Sequence, residues 1–151
     1  MVEVTSALAS LRKLISLKLY FCYHNHDKSL EAIVNSVLKM NQIRSLTLNL
    51  GQSLVTSQGI LSIDRAISKL HDLENLELRF NSCENIEDNS VKRLCESLKE
   101  LKRLQSLLVD FEGSTSNEFE KEVVDTLKNS LPFLKRFSFQ ATNIYPEVYD
   151  M

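Results

Sequence analysis

The sequence predicts an α/β solenoid, a parallel sheet on one face and helices on the other. Three observations predict it. A leucine-rich phrase recurs along the chain, each copy closes in strict apolar alternation, and the stretches between copies carry apolar residues at helical spacing. The phrase reads Leu11-x-x-Leu14-x-x-Leu17-x-Leu19, then Met40-x-x-Ile43-x-x-Leu46-x-Leu48, then Leu70-x-x-Leu73-x-x-Leu76-x-Leu78. It returns as Leu101-x-x-Leu104-x-x-Leu107-x-Val109 and Leu131-x-x-Leu134-x-x-Phe137-x-Phe139. The third anchors stand at 17, 46, 76, 107 and 137, so the steps are 29, 30, 31 and 30. One repeat cannot bury its apolar face alone, and stacking supplies the cover.

The elements follow in order. Leu17/Leu19/Phe21, Leu46/Leu48/Leu50, Leu76/Leu78/Phe80, Leu107/Val109/Phe111 and Phe137/Phe139/Ala141 alternate with polar neighbours. Each set marks a half-buried strand, near 16–21, 45–50, 75–80, 106–111 and 136–141. Between strands, Leu30/Ile33/Val34/Val37, Ile60/Ile63/Ile67, Val91/Leu94/Leu98 and Val123/Val124/Leu127 form helical stripes. Ser29, Ser57 and Asp88 are the expected N-caps, Thr115 with Glu118 fits a capping box, and Pro132 stops the last helix. Val4, Leu8 and Leu11 stand before Leu17 as Leu94, Leu98 and Leu101 stand before Leu107, so the chain opens inside a helix.

Short connections between strand and helix require parallel strands and right-handed crossovers. Strands lie about 4.8 Å apart and packed helices roughly 8–10 Å, so the stack curves with the sheet on its concave side. No Gly-, Pro- or Ser-rich linker divides the chain, so 1–151 reads as one domain. Residues 143–151 form a tail whose Ile144, Tyr145, Val148 and Tyr149 are expected to fold over the last strand. Without such a cover, terminal coils leave apolar surface and an unpaired edge for a second copy or a longer array.

Composition narrows the function classes. Hydrophobic residues make up 43% and charged residues 25%, as in a folded soluble domain. The net charge of −2 gives no bulk field toward nucleic acid or an anionic membrane, and no apolar run is long enough to span a bilayer. Cys22, Cys83 and Cys95 are odd in number with no CxxC spacing, which suits a reducing compartment; the chain is expected to be intracellular and cytoplasmic. Cys95 falls on an apolar helix stripe as a buried thiol, and Cys83, in the polar loop NSCEN, is expected at the surface.

The five copies resemble the leucine-rich repeats of the long, ribonuclease-inhibitor-like kind. That resemblance implies a horseshoe segment with α-helices on the convex side and a binding role for the concave sheet. One departure stands out. Where the family's phrase places an Asn that bonds the turn backbone, this chain has Cys22, Gly51, Asn81, Glu112 and Thr142. Less regular turns between strand and helix are therefore expected, with the apolar residue before that position lengthening each strand.

No catalytic phrase is present. Three glycines, Gly51, Gly59 and Gly113, cannot build a phosphate loop or a nucleophile elbow. His24-Asn25-His26-Asp27 lacks the ligand count and spacing of a zinc site and reads as a polar loop. Glu84, Glu87 and Asp88 lack the alternating ligands of a calcium loop. Lys92, Arg93, Glu96, Lys99, Glu100, Lys102 and Arg103 mix both signs, with Lys92 and Glu96 spaced to pair along a helix. No cofactor, metal, nucleic acid or membrane is expected.

The outward strand positions remain. In register they form three columns: Ser16/Ser45/Asn75/Ser106/Arg136, Lys18/Thr47/Glu77/Leu108/Ser138 and Tyr20/Asn49/Arg79/Asp110/Gln140. The resemblance implies that such columns bind protein partners. Tyr20, Arg79 and Leu108 are the expected anchors, Glu77 and Asp110 set electrostatic register, and Lys18 and Asn49 complete the surface. The expected function is therefore non-enzymatic protein binding. The alternatives are an enzyme regulator acting on a small GTPase, or a structural module that homodimerises through its ends.

Overall fold

This computed structural model describes residues 7, 8, 10–21, 26–40, 42–114, 120–141 and the backbone of 149 and 150. The strands are β1 (Ser16–Tyr20), β2 (Ser45–Asn49), β3 (Asn75–Arg79), β4 (Ser106–Asp110), β5 (Arg136–Gln140) and β6 (Tyr149–Asp150). Between the first five lie α1 (Asp27–Val37), α2 (Ser57–Ile67), α3 (Asp88–Leu98) and α4 (Glu120–Ser130), each of 11 residues. The sheet runs in chain order. β1 to β5 are parallel, and the three outward columns pair as the spacing predicts, Ser16 with Ser45 through Ser106 with Arg136. β6 pairs antiparallel with the start of β5, Phe137 opposite Tyr149.

The apolar alternation and the helix stripes meet in one core. Leu48, Leu78 and Val109 from the sheet and Ile60, Val91, Leu94 and Leu98 from the helices are at most 1% exposed. Phe80 stacks on Phe111 with centroids 4.9 Å apart, and Phe111 meets Phe139 at 6.4 Å. Such ring pairs add about 0.5–1.5 kcal/mol beyond their burial. On the far side of the helices, Asp64 of α2 accepts from Ser97 of α3 and lies 3.5 Å from the Arg93 guanidinium, joining the two helices.

The turns are more regular than expected. Gln52 and Ser82 both have φ of 58° and Gly113 has φ of 68°, the same left-handed step in three successive coils. The backbone ladder continues past the strands: Leu50 and Gln52 donate to the carbonyls of Arg79 and Asn81, and Phe80 and Ser82 to those of Asp110 and Glu112. What replaces an asparagine ladder is a column of small polar side chains. Cys83 Sγ donates to the Leu50 carbonyl (3.3 Å), and Ser114 Oγ donates to the Phe80 carbonyl (2.6 Å) while accepting from the Cys83 N–H (2.8 Å). Cys83 is therefore 0% exposed, not a surface thiol, and its burial raises its pKa. The polar loop turns inward because buried carbonyls need donors.

The helices start earlier than the cap assignments, by three residues in α1 and by one in α2 and α3, with His26, Thr56 and Glu87 at the N-cap positions. Ser29 sits inside the first turn of α1, and Ser57 and Asp88 are the first residues of α2 and α3. Thr56 Oγ1 accepts from Gln58 N–H (3.2 Å) and donates to Asp27 Oδ2 (2.7 Å), while Ser57 Oγ accepts from Glu87 N–H (2.8 Å). These bonds tie the start of α2 to that of α1 and the start of α3 to that of α2. The capping pair Thr115 and Glu118, the residues 22–25 of the His-Asn-His loop and the apolar tail residues Ile144, Tyr145 and Val148 lie outside the described residues.

Candidate protein-binding face

The outward face of the sheet is built by β1 to β5, whose fixed register sets the lateral position of every side chain on it. Its centre is polar and internally bonded. Thr47 Oγ1 donates to Glu77 Oε2 (3.4 Å), and Arg79 Nε donates to Glu77 Oε1 (2.6 Å). The same guanidinium reaches Asp110 Oδ2 through Nη1 at 3.7 Å. Glu77, Arg79 and Asp110 are thereby brought together across two strands. Partly exposed pairs of this kind contribute roughly 0–1 kcal/mol each, so the network fixes rotamers more than it stabilises the fold.

Two of the outward residues also serve the turns. Asn49 Oδ1 accepts the Gly51 N–H (3.1 Å), and Asp110 Oδ1 accepts the Glu112 N–H (3.0 Å). Each is the local side-chain-to-backbone bond that Asn and Asp favour at turns. Asp110 is only 8% exposed, so the more open group of this pair is the Arg79 side chain rather than the Asp110 carboxylate. At the end of the same column, Gln140 Nε2 donates to Glu112 Oε2 (3.2 Å). Thr47, an outward position, is 4% exposed beneath the Glu77 side chain.

The open positions lie to either side. Tyr20 is 63% exposed, and Lys18 is exposed beside it on β1. Leu108 is half-buried opposite Glu77, and Arg136 is exposed on β5. Lys18, Thr47, Glu77, Ser106, Leu108 and Arg136 line one shallow depression, with a cation at each end and the Glu77 carboxylate between them. Tyr20 and Arg79 stand two strands apart, about 10 Å at the spacing of paired strands. Sequence reasoning missed the inward column Ser53/Cys83/Ser114 behind this face; its signal is a small polar residue two positions after each of Gly51, Asn81 and Glu112. Among the described residues there is no group of three or more His, Cys, Asp or Glu side chains that could hold a metal ion, and no helix is long and apolar enough to cross a membrane.

No family model and no curated protein matches the sequence. Among solved structures, the chain is similar to leiomodin-1 actin-binding site 2, with a TM-score of 0.61 and 24% identity. The match covers 85% of this chain and 70% of that one. The fold is a leucine-rich-repeat solenoid. At this identity the likeness extends to the fold and not to individual site residues.

Proposed function

We propose that this chain is a non-enzymatic protein-interaction module that binds a protein partner on its concave sheet face inside the cell. The observation that supports it is the composition of that face. A tyrosine and a lysine stand open on β1, and an arginine two strands away is held in one rotamer by Glu77 and Asp110. Aromatic and Arg anchors with low ordering cost are what protein interfaces use. The repeats are read as the long, ribonuclease-inhibitor-like kind, on the strength of their length and their convex α-helices. The leiomodin fragment is named for actin binding, and actin is accordingly the first partner to assay.

Pull-down with the intact chain tests the reading. Tyr20→Ala with Arg79→Ala is expected to release the partner and leave the circular dichroism unchanged. Retained binding in that double variant removes the concave face as the site. A regulator of GTP hydrolysis would use the same face, and single-turnover hydrolysis with and without the protein separates that role from simple adhesion.

A second reading has its own observation. On its outer side β1 has no paired strand among the described residues, and Leu11 and Ile15 beside it are 45% and 56% exposed. Self-association through this end follows if light scattering shows a concentration-dependent mass. A monomer at high micromolar concentration excludes it.

A further inference from the structure

At the rim where β2 to β5 begin, Arg44, Glu74, Arg103, Gln105, Phe133 and Lys135 line a second shallow depression. Phe133 is 62% exposed there, among the most open of the large apolar side chains. Arg44 pairs with Glu74, and Arg103 Nη1 lies 2.7 Å from Asp72 Oδ1, but both arginine side chains remain more than half exposed. Lys135 is exposed and has no ion pair among the described residues. After internal pairing the rim therefore keeps a positive surplus. The opposite rim, where strands turn into helices, carries Glu84, Glu87 and Glu112, so a chain of net charge −2 is polarised from one rim to the other.

Helix dipoles explain part of this polarity, because cations near helix C-termini and carboxylates near N-termini are favoured. They do not explain Phe133 and Lys135, which lie beyond the end of α4 at Ser130. An open aromatic ring bordered by cations is the complement of an apolar residue flanked by carboxylates. We infer that this rim is a second docking surface, for an acidic protein segment that carries an apolar residue between its carboxylates. Glu74 and Asp72 interrupt the cations, which disfavours the continuous phosphates of a nucleic acid. A single aromatic side chain beside those carboxylates likewise suits a peptide better than an anionic membrane. The inference does not rest on the concave-face reading.

The test is fluorescence anisotropy of a labelled short peptide of Asp and Glu around one central Leu, titrated with the full chain. Binding is expected at low salt and is lost as salt rises, and the same peptide with Asn and Gln in place of its acids does not bind. Arg103→Glu with Lys135→Glu is expected to weaken binding by at least about tenfold. Phe133→Ala weakens it several-fold while keeping the salt dependence, and Tyr20→Ala leaves it unchanged. Lys135→Glu alone, at an exposed unpaired position, serves if the double variant loses its circular dichroism. No binding at low salt, or equal binding by the charge-reversed variants, overturns the inference. So does tighter, variant-sensitive retention on phosphatidylserine vesicles or single-stranded RNA. Low-salt self-association that the same variants abolish would assign the rim to a second copy, and also overturns it.

Discussion

The same leucine-rich phrase has two fates in this molecule. In the middle coil, Leu73, Leu76, Leu78 and Phe80 are at most 2% exposed. In the first coil, Leu17 is 8% exposed, Leu14, Leu19 and Phe21 are only half-buried, and Leu11 is 45% exposed. The residues are nearly identical, so local sequence does not set their burial. Neighbouring coils do. Among the described residues, β3 has a parallel strand on each side, β1 has one on a single side, and the start of β5 pairs with the antiparallel β6. In a solenoid, stability is a sum over coils and their interfaces, and an end coil has one interface fewer.

Deleting equivalent side chains breaks the comparison most strongly. Leu78→Ala, in the middle coil, should cost on the order of 2–5 kcal/mol by opening a cavity that rigid neighbours cannot fill. Leu19→Ala, the fourth anchor in the half-covered coil, should cost well under half as much. Urea denaturation of both variants checks this, and equal losses would show that stack position is irrelevant.

Gly59→Ala probes the tie between coils. A Cβ at Gly59 would lie 2.5 Å from Asp27 Oδ1 and 2.7 Å from Val55 Cγ1. Asp27 is the group that bonds Thr56, with its N–H at 2.9 Å, so the methyl displaces the link between the first two helices. A loss of about 1–3 kcal/mol is expected from overpacking. In amide exchange, α1 and the start of α2 should lose protection before α3 does.

Cys95, in a central helix, reports the same burial through pH. Burial, with the Glu96 charge adding to it and Lys99 opposing, pushes its pKa from 9.0 up to about 12. A folded pKa above the unfolded one means the neutral thiol's contribution is intact below about pH 9 and is lost as pH rises toward 12. The stability difference between the native chain and Cys95→Ala should therefore be constant to about pH 9 and shrink above it. With Cys22→Ser as background, neither Cys83 nor Cys95 should react with a thiol reagent at pH 8 before unfolding.

The smallest effect is a gain. Ser82 holds φ of 58°, which costs a residue with a Cβ and costs glycine little. Ser82→Gly should stabilise by up to about 1 kcal/mol, partly offset by unfolded-chain entropy. Thermal melts would check the sign.

These particulars show what was legible in the sequence. Period-two alternation carries strand position and register, so the three outward columns followed directly from Leu17, Leu46, Leu76, Leu107 and Phe137. The turns were opaque because their left-handed residues are Gln52 and Ser82 as well as Gly113, and because Cys83 and the two serines do the bonding that asparagine would announce. On the candidate face, Tyr20 and Lys18 stand open as outward positions should. Asp110 does not, since an Asp at a strand end bonds its own turn, and alternation cannot distinguish that from solvent.

The most direct measurement is lysine-acylation footprinting of the complex captured from a lysate, read by mass spectrometry. Lys18 on the sheet face is predicted to lose reactivity when the partner is bound, while the exposed Lys28 and Lys121 on α1 and α4 keep theirs. Protection of the helix lysines with Lys18 still reactive would contradict a partner seated on the concave sheet.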